Sequence, residues 1–208
     1  ILVLAEKIRK EVDQQLEFTN LPAFYNRPDY IRVLSNSIKD FLKNKSWDHL
    51  LFSYHGIPER HIRKTDITNS HCKIDRQCCL VSSPAHEFCY RHQCYETTRQ
   101  VVEYLKLKEG TYSSSFQSRL AGQPWLKPYT DEVIDNFAKS GTKKLAIVTP
   151  AFVSDCLETL EEIGMEAKVD FMTKGGEEFH VIPCLNDNKE WVKVLSQWID
   201  KWATSSIK

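Results

Sequence analysis

Apolar residues recur along this chain with two periods, and the alternation between those periods predicts the fold. Helical spacing runs through Ile1, Leu4, Ile8, Val12 and Leu16, and similar patterns downstream predict helices over 2–15, 29–43, 84–106, 130–139, 155–166 and 188–203. Leu50-Leu51-Phe52 and Leu145-Ala146-Ile147-Val148 are short unbroken apolar runs, the form taken by strands buried on both faces. With two weaker stretches they predict strands over 48–54, 112–117, 143–149 and 178–182. Strands alternating with helices of this length call for a parallel sheet covered by helices, so the fold class is α/β. Ser83 before Pro84 fits an N-cap followed by the first helical residue, and Asp155 with Glu158 three positions on fits a capping box. Gly110, Gly141 and Gly175-Gly176 supply helix stops.

Composition narrows the partners. Lys plus Arg and Asp plus Glu are both 28, for zero formal charge over 208 residues. No bulk attraction to nucleic acid or an anionic membrane is expected. No apolar stretch approaches the roughly 20 residues that span a bilayer, and no basic-then-apolar leader opens the chain, so no transmembrane segment and a cytoplasmic location are expected. The chain opens on Ile1, already inside a helical pattern, which suggests a segment upstream.

Between His61 and Ser83 the periodicity disappears and the sequence turns polar and cysteine-rich, the mark of a functional, metal-pinned or mobile loop. Cys72, Cys78, Cys79, Cys89 and Cys94 cluster there and in the helix that follows, with His71, His86 and His92 among them, while Cys156 and Cys184 stand apart. The spacing lacks the paired CxxC of a zinc ribbon. Zinc, an iron–sulfur cluster and a set of reduced thiols all stay open, with metal ligation favoured.

The chemistry-bearing residues lie where predicted strands end. His55 follows a buried strand and precedes Gly56 and Pro58, whose turn leaves the imidazole at the sheet's edge, either as a proton acceptor or bonded to the turn backbone. Glu158, Glu162 and Glu166 recur at i, i+4 and i+8, so their carboxylates share one helix face with Asp155 a turn earlier. Like charges so placed repel unless a cation or proton sits among them; a cap and a solvated face are the alternative. Trp125, between Pro124 and Pro128 in a stiff loop, suits either stacking on a flat ligand or a packed corner. Gln117-Ser118-Arg119 just before it offers donors to carboxylates.

Four ordered blocks together resemble the ferrochelatase family, most closely its bacterial, cytoplasmic members. They are Leu51-Phe52-Ser53-Tyr54-His55-Gly56-Ile57-Pro58, Ser115-Phe116-Gln117-Ser118-Arg119, Pro124-Trp125-Leu126-Lys127-Pro128-Tyr129-Thr130-Asp131-Glu132, and Pro150-Ala151-Phe152-Val153-Ser154-Asp155-Cys156-Leu157-Glu158-Thr159-Leu160. The resemblance implies a chelatase-like α/β fold of two similar Rossmann-like halves, the N-terminal one largely missing. Residues 1–20 would then end that half, 21–183 would form the C-terminal domain with a Cys-rich insert over 61–94, and 184–208 would pack back on the missing half. Trp191, Val194, Leu195 and Trp198 would in that case form an exposed apolar stripe, and the chain alone would be inactive.

By the same resemblance the activity is insertion of Fe²⁺ into protoporphyrin IX to give haem. His55 and Glu158 are the implied catalytic residues, His55, Glu158 and Glu162 the metal-binding ones, and Phe152, Trp125, Gln117 and Tyr54 the porphyrin-binding ones. Cys156 stands where many relatives have a second histidine, so that family's His–Glu metal pair does not carry over unmodified. Some relatives hold a [2Fe–2S] cluster through an internal segment; the chosen ligands here are Cys72, Cys79, Cys89 and Cys94, because adjacent Cys78 and Cys79 do not easily point into one site. A cobalt- or sirohydrochlorin-type chelatase and a noncatalytic iron–sulfur or redox-sensing module are the rival readings.

Overall fold

A computed structural model describes residues 2–73 and 75–205. Among them four parallel strands form one sheet: β1 (His49–His55), β2 (Tyr112–Gln117), β3 (Lys144–Val148) and β4 (Glu178–Val181), in the order β2-β1-β3-β4. The register sets Ser53 beside Ser115, His55 beside Gln117 and Phe52 beside Val148. From β1 the chain moves first to one side of the sheet and then to the other, so β1 and its neighbours make a topological switch point. The crevice at the carboxyl end of such strands is where α/β sheets bind ligands.

The helices are α1 (Leu2–Val12), α2 (Pro28–Leu42), α3 (Glu59–Lys64), α4 (Tyr90–Leu105), α5 (Thr130–Lys139), α6 (Lys168–Thr173) and α7 (Lys189–Ser205). A π-helix, Glu158–Ala167, leads directly into α6. Successive side chains of a strand face opposite ways, and the two cores follow that alternation. Leu50, Phe52 and Tyr54 join α2, α4 and α7 in the larger core. Leu51, Leu145, Ile147 and Phe179 meet α5, the π-helix and α6 in the smaller one.

Three expectations about elements change. The helix over 84–106 divides into a 3-10 turn, Pro84–Glu87, capped by the Ser83 hydroxyl accepting from the Ala85 N–H, and α4, which ends on Lys106 at φ 53° before Gly110 is reached. Asp155 caps no helix; its carboxylate accepts from Asn186 Nδ2 at 2.6 Å and from the Cys184 N–H at 3.3 Å, tying the start of the π-helix to the loop after β4. The stripe Trp191, Val194 and Trp198 is buried within this chain. Trp198 is 6% exposed, stacks under Arg27 at 4.0 Å and donates its indole N–H to Asp29 at 2.5 Å. Val192, Ile199 and Trp202 are the exposed large apolar residues of α7 instead. α1 keeps its apolar side chains in solvent, Leu2, Leu4, Ile8 and Val12 all exposed, while Ile1 lies outside the described residues.

Candidate active site

A cleft of about 800 Å³ opens at the carboxyl edge of β1 and β2, between those strand ends and the π-helix. His55, Gln117, Trp125, Glu158 and Glu162 all line it. His55 has the side-chain direction of Leu51 and Ser53, towards α5 and the π-helix. Tyr54, one residue earlier, has the opposite one: it is 2% exposed, its hydroxyl pairs with Thr98 Oγ1 on α4 at 2.8 Å, and it does not line the cleft. A porphyrin-contacting Tyr54 is therefore at odds with the strand's own alternation.

His55 Nδ1 lies 2.5 Å from the Gly56 carbonyl oxygen. That oxygen only accepts, so Nδ1 carries the proton and Nε2 is left as the basic nitrogen. The ring sits between two aromatics, with centroids 6.4 Å from Trp125 and 5.9 Å from Phe152. Trp125 is 7% exposed, so most of its indole is packed and only an edge reaches the cleft. Gly56 makes this packing fit, since a Cβ there would come 2.9 Å from the Gln117 carbonyl oxygen and 3.3 Å from the Trp125 ring.

Across the cleft, the π-helix replaces the expected α-helix with the wider i→i+5 coil, a rare form frequent at functional sites. Glu158, Glu161, Glu162 and Glu166 still line the cleft together. Glu162 is clamped: its Oε1 accepts from the Ser118 N–H at 2.7 Å and its Oε2 from the Ser118 hydroxyl at 2.5 Å. Ser118 reaches it because φ is 62° there, a left-handed turn at the end of β2. Gln117 Nε2 donates to the Glu158 carbonyl at 2.9 Å and ties the first π turn to β2. Hydrogen bonds from the Cys156 side chain and from its own backbone, opposed by burial, hold the Glu158 carboxyl below the usual carboxylate range.

The donors of Gln117-Ser118-Arg119 do meet carboxylates, but the chain's own: Arg119 pairs with Asp131 at 2.7 Å and covers the Tyr129 ring at 3.9 Å. Behind them lies a buried polar network unforeseen in the sequence. Ser53 Oγ donates to Gln117 Oε1 at 2.7 Å and contacts Thr130 Oγ1 at 2.8 Å, which in turn meets Ser115 Oγ at 2.8 Å. With Oε1 accepting there, the amide of Gln117 can only present Nε2 to the π-helix. The available signal was Ser53 interrupting the apolar run of β1; its pairing with Ser115 shows only in the sheet register.

The Cys-rich insert is a separate place. All seven cysteines are free thiols. Cys72 neighbours Cys89 and Cys78, and Cys79 neighbours Cys78, Cys89 and the Arg91 guanidinium; burial first, then the adjacent thiols, push Cys72 up to about 12. Cys78 Sγ accepts from Arg91 at 3.1 Å and from the Lys73 N–H at 3.2 Å. Cys89 and Cys94 are both buried in the larger core, Cys94 beside Tyr30, Tyr54 and Tyr90. An iron–sulfur cluster would need four of these thiols brought together as thiolates. Among the described residues, however, no three His, Cys, Asp or Glu side chains gather closely enough to hold a metal ion.

Fold and cleft together define an α/β protein that presents a basic imidazole to a row of carboxylates at a sheet's switch point. The chain belongs to the ferrochelatase family, whose pattern it matches over residues 2–202. It is 44% identical over 193 residues to the ferrochelatase of Pseudomonas fluorescens (strain Pf0-1), covering 92% of this chain and 56% of that protein. The ferrochelatase of Opitutus terrae is 44% identical over 192 residues, 92% of this chain and 55% of that one. That of P. fluorescens SBW25 is 40% identical over 202 residues, 97% and 59%. The chain thus spans little more than half the length of these relatives. No helix among the described residues is long and apolar enough to cross a membrane.

Proposed function

We propose that the cleft is the catalytic wall of a ferrochelatase that inserts Fe²⁺ into protoporphyrin IX, one metal entering as two pyrrole protons leave. The observation that carries this reading is the opposition, across one cleft, of an imidazole whose Nε2 is basic and a glutamate held ionised. His55 accepts the pyrrole protons. Glu158 and Glu162 receive the Fe²⁺ substrate, with Glu162 aimed by Ser118 and Gln117. Phe152 and the exposed edge of Trp125 flank the macrocycle beside His55, and Tyr54 braces the strand end from the opposite core.

The reading extends to the insert. A [2Fe–2S] cluster needs four thiolates, which Cys72, Cys79, Cys89 and Cys94 would supply, with Cys78 the alternative to core-buried Cys94; when bound, the cluster brings one-electron redox chemistry. Free thiols in this number suit a reducing, cytoplasmic compartment.

The test is a panel of protoporphyrin IX and more carboxylated porphyrins against Fe²⁺, Co²⁺ and Zn²⁺, using the full-length protein under anaerobic conditions. Insertion of Fe²⁺ into protoporphyrin IX, lost in Glu158→Ala, is the expected result. Failure to insert any metal into any porphyrin would overturn the proposal, and a preference for Co²⁺ with a more carboxylated ring would replace it with another chelatase.

A further inference from the structure

Outside the cleft, the insert brings together a second set of possible metal donors that includes no thiol. His71 Nε2 lies 2.9 Å from the Cys78 carbonyl oxygen, His86 Nε2 lies 3.1 Å from the same oxygen, and the two nitrogens are 3.3 Å apart. The three atoms thus form a small, nearly equilateral triangle. His86 is held in it by His92, whose ring stacks on it at 3.6 Å and 11°. His71 and Cys78 line an open depression with Thr68, Ser70 and Gln77, and none of these residues lines the catalytic cleft.

Protons alone do not make all three edges of this triangle attractive. If both Nε2 atoms carry hydrogen, each donates to the carbonyl and the two N–H groups confront one another. If one Nε2 is bare, it meets the carbonyl oxygen lone pair to lone pair. A cation at the centre reverses this, because all three atoms then point lone pairs at positive charge, each ring taking its Nδ1–H form. The spacing is also that of shared ligands: two imidazole nitrogens at about 2.0–2.1 Å from a tetrahedral Zn²⁺ stand about 3.3 Å apart.

We propose that His71, His86 and the Cys78 carbonyl bind one divalent cation of the Zn²⁺ or Co²⁺ type, with water from the depression completing its coordination. Such a cation would join the loop before Cys72, the 3-10 turn Gln77–Leu80 and the 3-10 turn Pro84–Glu87, three segments that no sheet or long helix connects. It would be a structural pin of the insert, distinct from the Fe²⁺ substrate and from any thiolate-bound cluster. Lys73 lines the same depression and lowers the affinity without contributing a ligand.

The site is separable from thiol chemistry because Cys78 contributes its backbone. Full-length protein in a His55→Ala background, which weakens the cleft's own metal site, would be titrated with Co²⁺ and then Zn²⁺. One Co²⁺ should bind with weak d–d absorption and no thiolate-to-cobalt charge-transfer band, and it should persist in Cys78→Ser and Cys79→Ser. His71→Ala and His86→Ala should each weaken binding at least ten-fold. Imidazole ¹⁵N spectra of the unsubstituted protein should show Zn²⁺ shifting the Nε2 resonances of His71 and His86, a reading that does not depend on how the variants fold. A charge-transfer band lost with the cysteines, or Nε2 resonances unmoved by saturating Zn²⁺, would overturn the proposal.

Discussion

The proposed catalytic cleft and the Cys-rich insert both concentrate residue types able to bind metals, but they are built in opposite ways. In the cleft the polar side chains issue from regular elements or their ends: His55 and Gln117 from β1 and β2, Ser118 from the turn that ends β2, Glu158 and Glu162 from the π-helix. A buried hydroxyl network fixes their orientation. In the insert, two short 3-10 turns and a handful of side-chain contacts, chiefly Asp66, Arg91 and the histidines, hold the chain together. A site on converging elements is organised before its ligand arrives, whereas a site on loops gains much of its order from the ligand itself.

The largest expected effect sharpens this difference. His55→Ala should lower iron insertion by about 10²- to 10⁴-fold, the range for loss of a general base, with the fold intact by circular dichroism. Substitution of His71 should leave the rate within a few fold. Next, Gly56→Ala should cost about 1–3 kcal/mol in urea unfolding, because a methyl group cannot occupy a space 2.9 Å from a backbone oxygen without moving β2 or Trp125. Ser118→Ala should raise the KM for iron about ten-fold with little change in kcat, since it removes one of the two charge-assisted bonds that aim Glu162. A Ser118→Ala KM equal to that of the unsubstituted protein would show that the clamp is not needed.

The smallest effect belongs to the insert and depends on pH. Asp66 accepts from the Cys72 N–H at 2.8 Å and from the Thr68 N–H and hydroxyl, and these bonds lower its carboxyl to about 2. A carboxyl with a depressed folded pKa stabilises fully above its unfolded value, about 3.9, and progressively less as pH falls through the folded one. Proteolysis or hydrogen exchange over 66–80 should therefore accelerate between about pH 4 and 2, and Asp66→Asn should loosen the same segment at neutral pH. An insert as protected in Asp66→Asn as in the unsubstituted protein would contradict this.

How much could be read beforehand follows the same division. β1 and β3 were legible as short unbroken apolar runs, while β2, with three consecutive serines, and β4 carried a weaker signal. His55 and the glutamates were legible as strand-end and ladder residues. Tyr54 was misplaced because a linear motif does not carry the two-residue alternation that turns neighbours to opposite faces. The π-helix was invisible because an apolar period cannot distinguish i→i+4 from i→i+5 bonding over ten residues. The burial of Trp198 depended on Arg27 and Asp29, far away in sequence. In the insert, the cysteines stood out by composition, yet the convergence of His71 and His86 on the Cys78 carbonyl is a tertiary one.

The account stands most directly on single-turnover insertion of Fe²⁺ into protoporphyrin IX by the full-length protein, followed anaerobically through loss of free-porphyrin fluorescence. It predicts rapid quenching that nearly disappears in both His55→Ala and Glu158→Ala while porphyrin binding persists. Quenching at an undiminished rate in either variant would contradict the assignment of the cleft as the place of metal insertion.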